Sequence, residues 1–339
     1  MSSAEAGRVT LGTIARLAGV SVPTVSRVLN GHSQVSAATR ARVESLVDEH
    51  GYRPRATKEP DSTGLIQVIF PGVDSGWEIE QVRGIEAAAH EAGVGLIVSG
   101  LGQAPTPPAE LRRWIRRGRI DGAILAASSG GDLFGGVLTT LDVPLIALDP
   151  GTRSAARMPT VGAANWSGAL AATRHLIGLG HRRIGMVTGW RGLLCSRARL
   201  DGFRAALEEA GIEEDPGLIV RGNFSYEAGL AAAPRLLGRH RPPTAIVASS
   251  DTIARGVIEA ARRRGISVPG DLSVTGFDDL PSSRWSSPPL TTVRQPLQEM
   301  GRLAAQSLLR LTRGRSLDAP AMELSTQLIV RESTAPPRR

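Results

Sequence analysis

From residue 65 onward the chain alternates short apolar runs with longer amphipathic stretches, and no other feature restricts its fold as much. LIQVIF (65–70), VGLIVSG (94–100), GAILAA (122–127) and PLIALD (144–149) form a first series. The first run precedes a stretch carrying Ile79, Val82, Ile85 and Ala89 at helical spacing; the second precedes an Arg-rich helical stretch containing Trp114. A second series holds RIGMVTG (183–189), GLIV (217–220), TAIVAS (244–249) and DLSVTGF (271–277), with helices expected around 166–178, 196–210, 225–238 and 251–264. Apolar strands that alternate with helices belong to parallel sheets covered on both faces. The expected fold class is therefore α/β, and the length suits about two such sheets. In open α/β sheets ligands sit beyond the carboxyl ends of the strands. The places to look are 71–77, Asp149, 190–199, Ser250-Asp251 and Asp278-Asp279. Two lobes presenting these ends to one cleft would make a clamshell for a small polar ligand.

The first fifty residues have a different texture. Leu11, Ile14, Leu17 and Ala18 recur at the spacing of one helix face. Gly19 can take the positive φ of a turn, Ser21 is a good N-cap, and Pro23 is tolerated in a first turn. In the second helix Val25, Val28 and Leu29 face the first, which leaves Val22, Pro23, Ser26, Arg27 and Asn30 on the opposite side. This is the pattern of a helix-turn-helix that enters the DNA major groove. The alternative is a pair of amphipathic helices in an ordinary helical domain. A third helix is expected from Ser36, its N-cap, to about His50, with Gly51 as the stop. Residues 1–9 read as a disordered leader and 53–64, RPRATKEPDSTG, as a linker.

The formal net charge of +8 over 339 residues favours polyanionic partners. Lys58 is the only lysine, and Arg112, Arg113, Arg116 and Arg117 read as a solvated face. A single cysteine, Cys195, excludes a disulfide framework or a multi-cysteine metal site and reads as a small semi-buried residue. The N-terminus lacks an apolar targeting core and no run reaches transmembrane length, so a soluble, cytoplasmic protein is expected. G-x-G-x-x-G after the first strand, the P-loop and G-x-S-x-G are all absent, so neither an enzyme nor a cofactor is expected.

Residues 10–31, with Val35-Ser36, Thr39-Arg40, Val43, Gly51-Tyr52 and Pro54, closely resemble the headpiece of the lactose-repressor/galactose-repressor family of bacterial regulators. GHRRIGMVTG (180–189), LDGF (200–203), SVTGFDDLPSSRWSSPPLTTVRQP (273–296) and LIVREST (328–334) resemble the core of the same family and the related periplasmic sugar-binding fold. The resemblance implies a three-helix headpiece (10–52), the linker (53–64) and a core (65–334) of two doubly wound parallel-sheet lobes. The first lobe would comprise 65–160 plus 291–320, the second 161–290 plus 321–334, with a tail at 335–339.

By the same resemblance Val22, Pro23 and Arg27 would reach base edges, with Arg27 suited to a bidentate guanine contact. Thr10, Thr24, Ser26, Asn30 and Thr39 would contact phosphates, although Thr10 can equally serve as a cap. Arg199, Asp149 and Asp278 would bind adjacent hydroxyls of an effector. Phe224 and Trp77 would lie against an apolar sugar face or else pack in the core. Ser250 stands where the family commonly has Asn. Two further departures stand out. Lys58-Glu59-Pro60-Asp61 replaces a hinge helix whose leucine wedges into the minor groove, and Ala164 precedes Asn165 where an acidic residue is common. Weaker or differently achieved DNA bending is expected.

The expected protein is a transcriptional regulator, a repressor by preference. It would be a homodimer or tetramer on a pseudo-palindromic operator, controlled by a small-molecule effector, by default a carbohydrate, with purines also known in the family. The alternative of the same core fold is a solute-binding protein with a non-DNA role.

Overall fold

A computed structural model describes residues 10–29, 35–50, 62–100, 120–126, 143–151 and 158–338. The chain divides into two compact units, residues 1–62 and 63–339.

The first unit holds α1 (Leu11–Ala18), α2 (Val22–Leu29) and α3 (Ala37–Glu49). Each helix starts on a hydroxyl. Thr10 and Thr13 form a reciprocal capping box, Ser21 Oγ accepts the Thr24 N–H at 3.3 Å, and Ser36 Oγ accepts the Thr39 N–H at 3.3 Å. Gly19 ends α1 at φ 65°, where an L side chain is strained. Ile14, Ala15, Ala18, Val25, Val28 and Val43 make the core. Leu17, expected on the buried face, is instead 50% exposed. The stripe that meets the other helices is Ile14–Ala15–Ala18, and Leu17 falls on its flank. Asn30, the side chain of Leu29, residues 1–9, Gly51, most of the linker and the Arg-rich stretch around Trp114 lie outside the described residues.

The second unit contains two six-stranded sheets. The first is built from β1 (Leu65–Phe70), β2 (Gly95–Gly100), β3 (Gly122–Ala126), β4 (Leu145–Leu148), β5 (Thr160–Ala163) and β11 (Ala321–Leu324), in the order β11-β5-β4-β3-β1-β2, all parallel. The second uses β6 (Ile184–Thr188), β7 (Ile219–Arg221), β8 (Ala245–Ala248), β9 (Ser273–Asp278), β10 (Thr291–Arg294) and β12 (Gln327–Ile329), in the order β12-β10-β9-β8-β6-β7. Only β12 runs antiparallel to its neighbour. Leaving aside the edge strands β11 and β12, both sheets follow the same doubly wound order, which places ligands at the strand ends.

The lobe boundaries differ from those the resemblance implied. β10 pairs in the second sheet, whereas β5 and β11 pair in the first. The chain therefore crosses between lobes three times: after Ala163, after Arg294 and after Leu324. The first crossing leads into α5 (Asn165–Gly178), the second into α9 (Leu297–Thr312). Short strands such as TVGA and AMEL carry too little apolar signal to be read from sequence.

The remaining α-helices among the described residues are α4 (Gly76–Glu91), α6 (Leu194–Glu209), α7 (Tyr226–Leu237) and α8 (Asp251–Arg262). They pack in close pairs through glycines. A Cβ on Gly84 would overlap the Gln298 carbonyl of α9, and one on Gly301 would overlap the Gln81 carbonyl of α4. Gly229 and Gly256 bring α7 and α8 together in the same way, and Gly202 lies on the Trp166 carbonyl between α5 and α6. The buried face of α4 is therefore Gln81, Gly84, Ile85 and Ala88, while Ile79, expected there, is 50% exposed. The run GLIV divides as well. Asp215 caps a 3-10 turn over Pro216–Leu218, so β7 starts only at Ile219.

Candidate functional sites

In the headpiece the outward face of α2 presents Val22 (46% exposed), Pro23 and Arg27, with Thr24 and Ser26 partly exposed beside them. Thr10, Thr24 and Thr39 all lie in the first turn of a helix or just before it, and each hydroxyl also pairs with a neighbouring one: Thr13, Ser21 and Ser36, at 3.0, 2.8 and 2.9 Å. Helix N-termini offer unbonded N–H groups to anions, so capping and phosphate contact are compatible at these threonines.

The core site is built around Arg199, which α6 holds at 3% exposure. Its Nε donates to Asn165 Oδ1 at 2.7 Å and its Nη1 to the Ser249 carbonyl at 2.5 Å. The guanidinium lies 3.8 Å above the Phe277 ring and 5.6 Å from that of Phe224, a cation–π arrangement. Asp278 Oδ1 stands 3.8 Å from Nη1 and accepts from Gln295 Nε2 at 2.6 Å.

Asp149, at the end of β4, completes the charged group. Burial raises its pKa, against the pull of the Arg199 charge and of Asn165. Burial likewise raises the Asp278 pKa well above the ordinary carboxylate value, and the nearby Asp251 adds to this, while Arg199 opposes it. In a dry site an ion is disfavoured unless an opposite charge stands beside it, and Arg199 stands beside both acids.

Three of the acids and the aromatic residue above the site take left-handed backbone: Asp149 (φ 48°), Phe224 (φ 66°), Asp278 (φ 119°) and Asp279 (φ 54°). Such conformations cluster where a backbone is shaped for a ligand. Phe224 reaches its position because Gly189, just past β6, has no side chain; a Cβ there would overlap the phenyl ring.

The sequence-derived residues are not all placed alike. Arg199, Asp149, Asp278 and Phe224 come together. Ser250 is buried and its Oγ caps α8 by accepting the Ile253 N–H at 3.1 Å, while the carbonyl of the preceding Ser249 meets Arg199. Trp77 lies in the first turn of α4, half-buried against the first-lobe core, and its backbone N–H donates to Ser75 Oγ at 3.2 Å. Cys195 is fully buried beside the same charges, and burial pushes its thiol up to about 12. Burial therefore disfavours the thiolate, which is the nucleophilic form.

Asn165, Ser249, Phe277 and Gln295 were missed. Two of them follow strands that were themselves missed: Asn165 comes two residues after β5 and Gln295 one after β10. The absent acidic residue at position 164 has a visible consequence. Ala164 makes no side-chain cap on α5, and Asn165 bonds the Ala163 carbonyl at 2.9 Å while receiving Arg199. Ser249 Oγ, Gln295 Oε1 and Ser196 Oγ are buried polar atoms without a hydrogen-bond partner among the described residues. Buried polar atoms are ordinarily satisfied, and Ser249 and Gln295 are direct neighbours of the Arg199–Asp278 pair.

A helix-turn-helix unit joined to a two-lobed α/β core with a charged cluster at its strand ends defines a DNA-binding transcriptional regulator with an effector-binding core. Family models agree: residues 10–55 match the bacterial regulatory proteins of the lacI family, and 173–334 match a periplasmic binding protein-like domain. The chain is 33% identical over 335 residues to the HTH-type transcriptional regulator DegA of Bacillus subtilis (strain 168), covering 97% of this chain and 99% of DegA. It is 34% identical over 329 residues to the transcriptional repressor CytR of Escherichia coli (strain K12), covering 96% of each. Among solved structures, a complex of the regulator CelR with cellobiose superposes with TM-score 0.74 at 32% identity, over 96% of this chain and all of that one. The lac repressor dimer bound to operator and an anti-inducer superposes with TM-score 0.73 at 28% identity, over 97% of this chain and 100% of that one. The chain belongs to the LacI family of bacterial transcriptional regulators. No described helix is long and apolar enough to cross a membrane.

Proposed function

We propose that this chain is a cytoplasmic, non-catalytic repressor. It binds a pseudo-palindromic operator as a homodimer and is controlled by a small carbohydrate held at the Arg199–Asp149–Asp278 cluster. The observation that carries the effector reading is the buried guanidinium set between two acids and two aromatic rings, with polar atoms of Ser249 and Gln295 beside it that have no partner among the described residues. Fixed donors and acceptors beside an aromatic face suit a ring that bears hydroxyls on its edge and C–H groups on its face. Support comes from the relatives: the CelR structure contains cellobiose, another LacI-family structure contains ribose, and the lac repressor dimer is bound to operator.

On the DNA side Arg27 is the one exposed α2 side chain able to read a guanine bidentately, with Val22 and Pro23 limited to apolar contact. Thr10, Thr24, Ser26, Asn30 and Thr39 fix the register on phosphates. Lys58-Glu59-Pro60-Asp61 offers no apolar wedge, so the major groove carries a larger share of recognition. Effector and DNA are linked by a coupling free energy, so whichever way the sugar shifts DNA affinity, DNA shifts sugar affinity equally.

The test is an electrophoretic mobility shift with DNA from upstream of the protein's own gene, with and without cellobiose, ribose, cytidine and hypoxanthine. Retardation at low salt that a sugar changes supports the reading. No retardation by folded dimeric protein overturns the regulator; a response to the nucleoside or base alone overturns the carbohydrate.

A further inference from the structure

Leu280 belongs to the turn after β9, in the second lobe, yet its side chain, 2% exposed, is part of the first-lobe core. Its Cδ1 lies 3.6 Å from where a Cβ on Gly76 would stand, at the start of α4. The turn that carries it is fixed from behind by Asp251. This fully buried carboxylate accepts the Leu280 N–H at 2.8 Å, the Ser283 hydroxyl at 2.6 Å and the Thr292 hydroxyl. Asp279 is clamped by Arg294 at 2.7 Å and Arg331 at 2.5 Å. Asp278 faces Arg199. Three consecutive residues thus touch the charged cluster, the second-lobe frame and the opposite lobe. Two of them hold left-handed backbone, which persists only where the surroundings over-determine it.

We propose that Leu280 is an inter-lobe latch: a positioning residue that transmits the state of Asp278 to the first turn of α4, with Asp251 setting its reach. The segment between Asp278 and Leu280 is braced on both sides, so a shift at the carboxylate moves the leucine as a unit. The core that receives it is close-packed and has no slack to absorb that shift. The regulatory meaning rests on Asp278 being an effector contact; the mechanical link does not.

Hydrogen exchange on the full chain, with neither effector nor DNA present, tests the link. Leu280→Ala is expected to speed exchange of the amides at 77–80 by about threefold or more, leaving α7 unchanged. Asp278→Asn is expected to speed the same amides in the wild-type background and to add nothing in Leu280→Ala, while Leu280→Met restores the wild-type pattern. If the alanine variant does not fold, Leu280→Val serves in both comparisons. An unchanged first turn in the Leu280 variant, or an Asp278→Asn effect of equal size in both backgrounds, overturns the latch. Because no ligand is used, failure of the carbohydrate reading leaves this result intact, and the reverse also holds.

Discussion

In the headpiece the outward side chains Val22 and Arg27, which we propose read DNA, stand in solvent, above a core of six small or branched apolar residues that would persist without them. In the core the charged side chains are also the structure. Arg199, Asp149 and Asp278 are all buried, and each is held partly by another. The difference teaches where function can be altered separately from stability. A reading face laid on a helix can be edited freely, whereas a charge cluster buried between lobes cannot lose one member without stranding the rest.

Arg199→Ala should give the largest effect, because it leaves two acids buried with no cation. A loss of about 3–5 kcal/mol in urea unfolding is expected, together with loss of binding of the proposed effector. A stable variant that merely binds weakly would show that the core resembles the headpiece after all.

A second expectation concerns Asp251, whose carboxyl burial pushes up to about 6 from the free value of 3.8, against its hydrogen bonds to Ser283, Thr292 and Leu280. The folded state takes up this proton first. Asp251 therefore adds stability as pH falls from above 6, and that contribution is complete below 3.8. Comparing urea midpoints at pH 7 and pH 5, the wild type should gain relative to Asp251→Asn. Parallel behaviour of the two proteins would remove Asp251 from the account.

The smallest effect on stability is expected at Arg27. Arg27→Ala should weaken DNA binding by roughly 10–100-fold in fluorescence anisotropy, and shift stability by no more than about 0.5 kcal/mol. A large stability loss would mean that the reading face also supports the fold.

The two regions were also unequally legible in the sequence. Headpiece helices announce themselves through caps, Gly19 and apolar spacing within some forty residues, and among the described residues the flank position Leu17 departs from the expected face. In the core the long buried strands were legible, and with them Asp149, Arg199 and Asp278. The strands β5, β10, β11 and β12 and the crossings between them were not, because TVGA, TTVR, AMEL and QLI gain their stability from pairing with distant strands rather than from local pattern. Asn165 and Gln295 were lost with those strands. Phe277 reads as one more apolar strand residue until Arg199 is found lying on its ring.

The three crossings have a mechanical consequence. They leave the first sheet from β5 or β11, or enter it through α9, and they join the second sheet at β10, at β12 or through α5, so all run along one border of the core. Three connections along one border leave rotation about that border as the motion they oppose least. Asn165 and Gln295 sit on two of the tethers and bond Arg199 and Asp278 directly, so the axle of this motion forms part of the wall of the site.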